Sequence, residues 1–353
     1  MSSLENGYVN LFKRGNRAVH VNPPTGTDIH LTESGSDWLW TVFSVFGFLG
    51  GIYAIMFFYV ENKKEYNKLQ RYTIAGPFII CIFESFAYYT YASNLGWGGI
   101  QAEFRGEDVS HSITNKYPNV RQVFYCKFIG WVLSWPVLYF LNEMASLCVH
   151  AGENIDFFFW DIAHSLLVQI LGTTYWIVCL LVGILIHSTY KWGYWVMGVF
   201  VLLTIEGIKL KRQIVDLKIR GFQLCVFLTH TIIVLLYTVC WGLSEGGNAI
   251  TPDAEAVFYG ILDLCLFAIY PGYLSWIINR YDCLPGINTS LPRPQQTSSE
   301  EKRYAGKELP MSPRNSGETA IGDNETEIEN SEDEEEPGES SSAAAGDAPS
   351  VTV

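Results

Sequence analysis

The stretch F-Y-G-I-L-D-L-C-L-F, from Phe258 to Phe267, lies near the middle of the last long apolar segment of the chain. It carries a single acidic residue, Asp263, among side chains that are otherwise apolar or aromatic. An ionisable group at the centre of a membrane span is costly, and such groups are candidate functional sites. The meaning of this acid therefore depends on whether the segment around it crosses a bilayer.

Seven apolar segments, this one included, are long enough to cross a hydrocarbon core of about 30 Å, which needs roughly 20 helical residues. Hydrophobic residues make up 49% of the chain and aromatic residues 15%. The sequence thus predicts an all-α membrane protein, a bundle of seven transmembrane helices. The expected spans are Trp38–Val60, Tyr72–Ala92, Val123–Val149, Ile162–Ile186, Tyr190–Ile208, Phe222–Leu243 and Ala256–Ile278.

The net charge of -13 is concentrated at one end of the chain. From Glu300 to Val353 there are 15 acidic and 4 basic residues, and almost no branched apolar or aromatic ones. Such a segment cannot bury enough surface to offset the entropy of ordering. We therefore expect an N-terminal extracellular segment over residues 1–34, a membrane domain over 35–281 and a disordered acidic cytoplasmic tail over 282–353.

Lysine and arginine in short loops predict the orientation, because they stay on the cytoplasmic side. They cluster in residues 63–71 and 209–220, after the first and fifth spans, which places the N-terminus outside and the tail inside. Three basic residues at positions 13–17 count against this orientation, and the polar N-terminal residues predict no signal peptide. Two glycosylation sequons, at Asn288 and Asn324, fall in the tail, so a glycan there would contradict the orientation.

The third and seventh spans carry a specific resemblance. The run C-K-F-I-G-W-V-L-S-W-P, from Cys126 to Pro136, is similar to the third helix of microbial rhodopsins, and the similarity extends over roughly residues 35–281. It implies that Phe267 stands where retinal proteins carry the Schiff-base lysine. It also implies that Gly130 and Leu141 replace the carboxylates that accept and donate the pumped proton. The resemblance therefore predicts no covalent retinal and no other cofactor.

Five short motifs resemble a narrower group, the fungal opsin-related membrane proteins that include yeast heat-shock and acid-stress proteins. This resemblance implies a plasma-membrane protein connected with stress. The proposals for the family are restraint of the plasma-membrane proton ATPase, a chaperone-like role and proton handling. The motifs are N-P-P-T-G (Asn22 to Gly26), G-S-D-W-L (Gly35 to Leu39), A-S-N-L-G-W (Ala92 to Trp97), H-S-T-Y-K-W-G-Y (His187 to Tyr194) and F-Y-G-I-L-D (Phe258 to Asp263).

The resemblance implies that Asp263 stands where the pumps carry a counterion of the protonated Schiff base. With Phe267 in place of the lysine, that cation is absent. An isolated buried charge is too costly to keep, so Asp263 is expected either to be protonated or to pair with another cation. Lys127 matches a position that faces the same interior in rhodopsins, which predicts an interaction between Lys127 and Asp263, direct or through water. The alternative is that Lys127 extends to the outer surface and Asp263 is a neutral core residue.

Other ionisable residues are candidates because of their positions along the expected spans. Glu84 is expected to be a deep acid and a further member of the polar core, with a weaker prospect of a relay to His230. Glu245 lies in a segment that resembles the outer proton-release group of the pumps. Glu143 and Glu206 are expected near a solvated helix end, where water would stabilise their charges.

Three aromatic residues, Trp131, Tyr237 and Trp241, are candidates for lining a residual pocket. A noncovalent lipid, sterol or retinoid could occupy such a pocket. The ring of Phe267 could instead fill the space, and a closed interior packed with aromatic rings is the first expectation.

The tail carries two candidate phosphorylation sites. Ser331 precedes three acidic residues and Ser312 precedes proline, patterns typical of acidophilic and proline-directed kinases. Phosphate would add negative charge, and the tail could then engage a basic surface of a partner. An unmodified solubilising tail is the alternative.

Two function classes fit these features. The first is a nonenzymatic regulator or chaperone of membrane proteins such as the proton ATPase; the second is a light-independent channel or transporter for protons or small solutes. No nucleophile, phosphate-loop or metal-ligand motif occurs in the sequence, so neither an enzyme nor a metal protein is expected. The expected partners are the lipid bilayer and other membrane proteins, not nucleic acid, and a homo-oligomer remains open.

Overall fold

The computed structural model describes residues 16–63, 68–103, 119–150 and 159–281. Seven long helices in these ranges have the length and composition of membrane spans, which confirms the predicted seven-helix membrane protein. The tail lies outside the described residues, as do its sequons, Ser312 and Ser331. The helices are α1 (Glu33–Asn62), α2 (Lys68–Ala92), α3 (Cys126–His150), α4 (Phe159–Ile184), α5 (Lys191–Lys211), α6 (Phe222–Trp241) and α7 (Pro252–Asp263, continued by Tyr270–Tyr281).

Three segments of these helices have π-helical hydrogen bonding. Arg212–Asp216 extends α5, Gly242–Gly246 extends α6, and Leu264–Ile269 joins the two parts of α7. A π-turn adds a residue to the helical turn and changes the direction in which the following side chains point; such turns are frequent at functional sites. The segment inside α7 begins directly after Asp263 and contains Phe267.

Two strands between α2 and α3 form an antiparallel hairpin, β1 (Trp97–Gln101) and β2 (Val120–Phe124). We call the end of the bundle where this hairpin packs the hairpin end; α1, α3, α5 and α7 begin there. The residue Ile29 adds an isolated bridge to Arg121 of β2. The segment before α1 is thereby attached to the hairpin.

The motifs N-P-P-T-G and A-S-N-L-G-W meet at the hairpin end. Asn94 Nδ2 donates to the Asn22 carbonyl oxygen at 2.6 Å, and Asn22 Nδ2 donates to the Ser93 carbonyl oxygen at 2.8 Å. Asn94 has a φ of 56°, a left-handed conformation that asparagine tolerates better than most residues. These two motifs therefore fix the N-terminal segment onto the end of α2.

The motifs G-S-D-W-L and F-Y-G-I-L-D meet where α1 packs on α7. Trp38 Nε1 donates to the Ala256 carbonyl oxygen at 3.1 Å. A Cβ atom at Gly260 would lie 3.2 Å from Val42 Cγ2, so the glycine lets the two helices approach closely. This contact between α1 and α7 helps to position the part of α7 that carries Asp263.

The bundle places its apolar side chains outside as well as inside. Phe48 of α1 and Phe200 of α5 are each 70% exposed, as expected for side chains that face lipid. Within the described ranges, six carboxylates are buried in the interior, together with the lysines and arginines described below. A polar interior with an apolar surface is typical of a membrane protein whose ionisable groups face the bundle.

Candidate functional site: a buried polar core

Asp263 lies at the end of the first part of α7 and is 1% exposed. Its carboxylate accepts hydrogen bonds from the Tyr88 hydroxyl, from the Tyr237 hydroxyl at 2.5 Å and from Trp131 Nε1 at 3.1 Å. Three helices thus contribute donors: α2, α6 and α3. Because hydrogen bonds to a carboxylate stabilise its charged form, this arrangement can hold a negative charge without an adjacent lysine.

Lys127 pairs with two other carboxylates and makes no direct contact with Asp263 among the described residues, so the direct form of that prediction was wrong and the water-mediated form stays a prediction. Its ammonium group lies 2.5 Å from Glu245 Oε1 and 2.5 Å from Glu255 Oε1, over the ring of Tyr259. The reason is depth: Lys127 is the second residue of α3 at the hairpin end, whereas Asp263 lies two helical turns deeper than Glu255 along α7. Lys127 is 4% exposed, so the alternative of a surface-reaching lysine is also wrong.

A four-charge cluster at the hairpin end surrounds this lysine. Arg121 of β2 contacts Glu255 Oε2 through Nη2 at 2.7 Å, and it donates from Nη1 to Asn248 Oδ1 and to the Ile250 carbonyl oxygen, both at 2.7 Å. The group contains two positive and two negative side chains, which are Arg121, Lys127, Glu245 and Glu255. We call these four residues the hairpin-end cluster; its charges balance, and none of its members is more than 4% exposed.

Glu245 was predicted as an outer proton group, and the structure places it in this cluster. Its Oε2 also accepts from the Ser244 hydroxyl and from Tyr259 at 3.3 Å. Arg121 and Glu255 were missed, since each lies just before an expected span, and these two spans begin at Val123 and Ala256. Thr251 followed by Pro252 is a helix-start signal, and Thr251 Oγ1 does accept from the Ala254 amide. Reading that signal would have placed Glu255 inside α7.

Glu84 lies in α2 and is fully buried, as predicted. Neither of its carboxylate oxygens has a hydrogen-bond partner among the described residues. It faces α3, where a Cβ atom at Gly130 would lie 3.5 Å from Glu84 Oε2 and only 2.6 Å from Ala87 Cβ. The close approach of α2 explains glycine at position 130, because a larger side chain would push the two helices apart.

The aromatic candidates separate into two places. Trp131 and Tyr237 pack edge to face at 5.1 Å beside Asp263. Trp241 lies apart from them, where its indole donates to the Leu180 carbonyl oxygen at 3.3 Å and its ring contacts Trp192. The structure therefore brings two of the three predicted pocket residues together.

Phe267 is fully buried and packs against Trp135 at 5.4 Å between ring centroids. Trp135 in turn contacts Trp176 at 5.9 Å and Tyr237 at 6.1 Å. Neither Trp135 nor Trp176 was predicted as a member of this interior. Aromatic rings pack around position 267, in line with the expected closed interior, and the described residues there carry no amine that could form a retinal Schiff base.

A second charged group lies at the opposite end of the bundle. Glu206 pairs with Lys209 and accepts from the Thr231 hydroxyl at 2.6 Å, and Lys209 Nζ lies 2.8 Å from His230 Nδ1. Glu143 pairs with Arg212 at 2.6 Å. The expected solvated positions for Glu143 and Glu206 were wrong, since both are at most 3% exposed. Tertiary ion pairs, not water, stabilise them.

Purified protein supplied with all-trans retinal is expected to show no red-shifted visible absorption band. The reason is that Phe267 has no amino group and the rings around it occupy the interior. Absorption spectroscopy checks this, with a retinal-binding microbial rhodopsin prepared in parallel as the positive control. A band that survives as a lysine adduct after borohydride reduction would contradict the expectation.

No family model matches the chain. Among characterised sequences, it is similar to the 30 kDa heat shock protein of Saccharomyces cerevisiae, with 49% identity over 92% of this chain and 98% of that protein. It is 35% identical to Protein MRH1 of the same yeast, over 77% of this chain and 80% of that protein. It is also 35% identical to the opsin-like protein carO of Fusarium fujikuroi, over 75% and 82%.

Solved structures with the same fold include light-driven proton pumps. The pump LR (Mac) from Leptosphaeria maculans matches with a TM-score of 0.56 and 18% identity, over 72% of this chain and 98% of that chain. The rhodopsin CsR of Coccomyxa subellipsoidea matches with a TM-score of 0.55 and 20% identity, over 70% and 98%. Taken with the sequence relatives, these matches show that the chain is a multi-pass membrane protein of the fungal opsin-related, stress-linked family, built on the microbial-rhodopsin fold.

Proposed function

We propose that this protein is a non-photoactive, nonenzymatic regulator or chaperone of other membrane proteins during stress. The observation that carries the proposal is Phe267, packed against Trp135 where a retinal lysine would stand. The buried ion pairs among the described residues support it, because they hold these charges in fixed contacts between helices. The name of the heat-shock relative supports a role in stress.

The plasma membrane is the proposed location, with the N-terminus outside and the acidic tail in the cytoplasm. The basic residues that follow α1 and α5 support this orientation. The proposed partners are the plasma-membrane proton ATPase or other membrane proteins with a basic cytoplasmic surface. Opposite charge favours association with such a surface, whereas anionic lipid would repel the tail.

Deleting residues 300–353 is expected to weaken partner binding and leave membrane insertion intact. These residues carry most of the net negative charge but none of the seven helices. Crosslinking with mass spectrometry, compared between the full chain and the truncated chain, measures partner capture, and membrane fractionation measures insertion. A control that keeps the length and replaces the acidic run 332–336 by Gln and Asn separates charge from length. Equal partner capture by all three chains would contradict a role for the tail.

A light-independent proton conductor is the second candidate, favoured by Asp263 and Glu84 at the centre of the bundle. If the protein is a regulator, liposomes containing it should show the proton leak of empty liposomes, and Asp263→Asn should change nothing. A conductor would instead produce a leak that Asp263→Asn alters. A pH-sensitive dye inside the vesicles, with an imposed potential, distinguishes the two results.

A further inference from the structure

Glu84 differs from every other buried carboxylate that the structure describes. Four of the others pair with a lysine or an arginine, and Asp263 accepts three hydrogen bonds. The Glu84 carboxyl is 0% exposed, and neither oxygen has a hydrogen-bond or ion-pair partner in the described ranges. An isolated carboxylate in such surroundings lacks any group to replace its lost hydration.

Among the described residues, the groups that face Glu84 include no free cation. From its own helix they are Cys81 and Tyr88, and from α6 and α7 they are Tyr237 and Asp263. Helix α3 presents Gly130 and Ser134, and its Lys127 is held by Glu245 and Glu255. Helix α1 presents Phe46 to Tyr88 and Gly50 to Cys81. A charged Glu84 would therefore meet only apolar groups, neutral polar groups and a second carboxyl.

We propose that Glu84 is a buried proton-binding site, held as the neutral carboxylic acid beside a hydrogen-bonded Asp263 carboxylate. Two like charges without a cation between them cannot both remain ionised at low dielectric. Three donors hydrogen-bond to Asp263 and stabilise its charge, whereas the Ser134 hydroxyl is the one neighbouring donor that the described residues offer Glu84, so the proton belongs on Glu84. The proposal does not depend on the regulatory function proposed above.

A protonated Glu84 is also compatible with the hydrogen-bonding groups at this position. The Ser134 hydroxyl is buried next to Glu84 and has no other hydrogen-bond partner among the described residues. A carboxylic acid offers one donor and retains an acceptor, and a serine hydroxyl can serve as either. The neutral acid can thus bond with Ser134 after a small side-chain rotation, which brings both unpartnered groups into one interaction.

The proton on Glu84 is separated from both ends of the bundle. The hairpin-end cluster lies on one side, and the Glu206, Lys209 and His230 group lies on the other. Each group is buried and internally paired. We therefore expect this proton to exchange with solvent more slowly than the protons of carboxyl groups in the exposed loops.

Infrared spectroscopy of the full chain in lipid vesicles tests the assignment. The spectrum of the wild type minus that of Glu84→Gln should contain the carbonyl band of one protonated carboxylic acid, and that band should shift to lower frequency after prolonged exchange into D2O. Asp263→Asn should retain the band. Loss of the band in Asp263→Asn together with its retention in Glu84→Gln would place the proton on Asp263 and overturn the proposal.

A second variant covers the case in which Glu84→Gln does not fold. Glu84→Asp keeps the acid but changes its distance from Ser134, so the carbonyl band should persist at a changed frequency. Ser134→Ala, in a chain that keeps Glu84, should shift the same band, since it removes the proposed hydrogen-bond acceptor. A spectrum with an identical carbonyl region in all the folded variants would show that Glu84 is ionised or that its proton is not bonded as proposed, and either result rejects the site.

Discussion

Replacing Glu255 by alanine is expected to destabilise the membrane domain by about 3–5 kcal/mol. Glu255 accepts from Arg121 at 2.7 Å and from Lys127 at 2.5 Å, and all three side chains are buried. Without it, one positive charge of the hairpin-end cluster loses its counterion in a position that water does not reach. The cost arises from that unpaired buried charge more than from the lost contact itself.

Denaturant unfolding of the purified protein, followed by far-UV circular dichroism, measures this loss. The control is Glu61→Ala, which also removes a glutamate from an ion pair, with Arg71 at 3.1 Å. Glu61 is 49% exposed, so its pair should contribute only about 0–1 kcal/mol. Equal unfolding midpoints for the two variants would mean that the hairpin-end cluster does not stabilise the fold.

Replacing Phe267 by alanine is the other change with a large expected effect, a destabilisation of about 3–5 kcal/mol. The side chain is fully buried among Trp135 and the rings around it. Removing it leaves a cavity in the middle of the bundle, because the π-helical segment of α7 on which it lies is itself packed into the core. Lost contacts and the cavity both raise the free energy of the folded state.

The matched control is Phe200→Ala on α5. Phe200 is 70% exposed, so lipid replaces its ring and the expected change is within about 0.5 kcal/mol. Both variants are unfolded in the same detergent, so the difference between them reports burial alone. A Phe267→Ala protein as stable as the Phe200→Ala protein would show that the interior around position 267 is loosely packed.

The seven helices were predictable from the sequence, and the reason lies in the bilayer. A span must satisfy its own backbone hydrogen bonds and present an apolar surface over about 20 residues, and both requirements are local. The ends were less predictable: α1 begins at Glu33 and α7 at Pro252, each several residues before the expected span. Hydropathy defines the part of a helix in hydrocarbon, whereas capping and packing decide where the helix begins.

The partners of the buried charges could not be predicted in the same way. Lys127 was assigned to Asp263 because both residues match interior positions of rhodopsins, yet the structure gives Lys127 two glutamates and gives Asp263 three neutral donors. Glu143 and Glu206 were expected in water and are instead paired inside the bundle. A residue's depth in its own span does not show which residue of a neighbouring helix lies at that depth.

By itself, the sequence determined that this chain crosses the membrane seven times, that its charge is concentrated in the tail and that position 267 carries no lysine. These properties depend on composition and on single residues, which can be read without knowing any contact. The tertiary structure alone decided that Arg121 and Glu255 complete a buried cluster, that Trp135 packs on Phe267 and that Glu84 has no ion-pair partner among the described residues. Those outcomes depend on distances of a few ångströms between helices far apart in the chain, and only the packed bundle sets those distances.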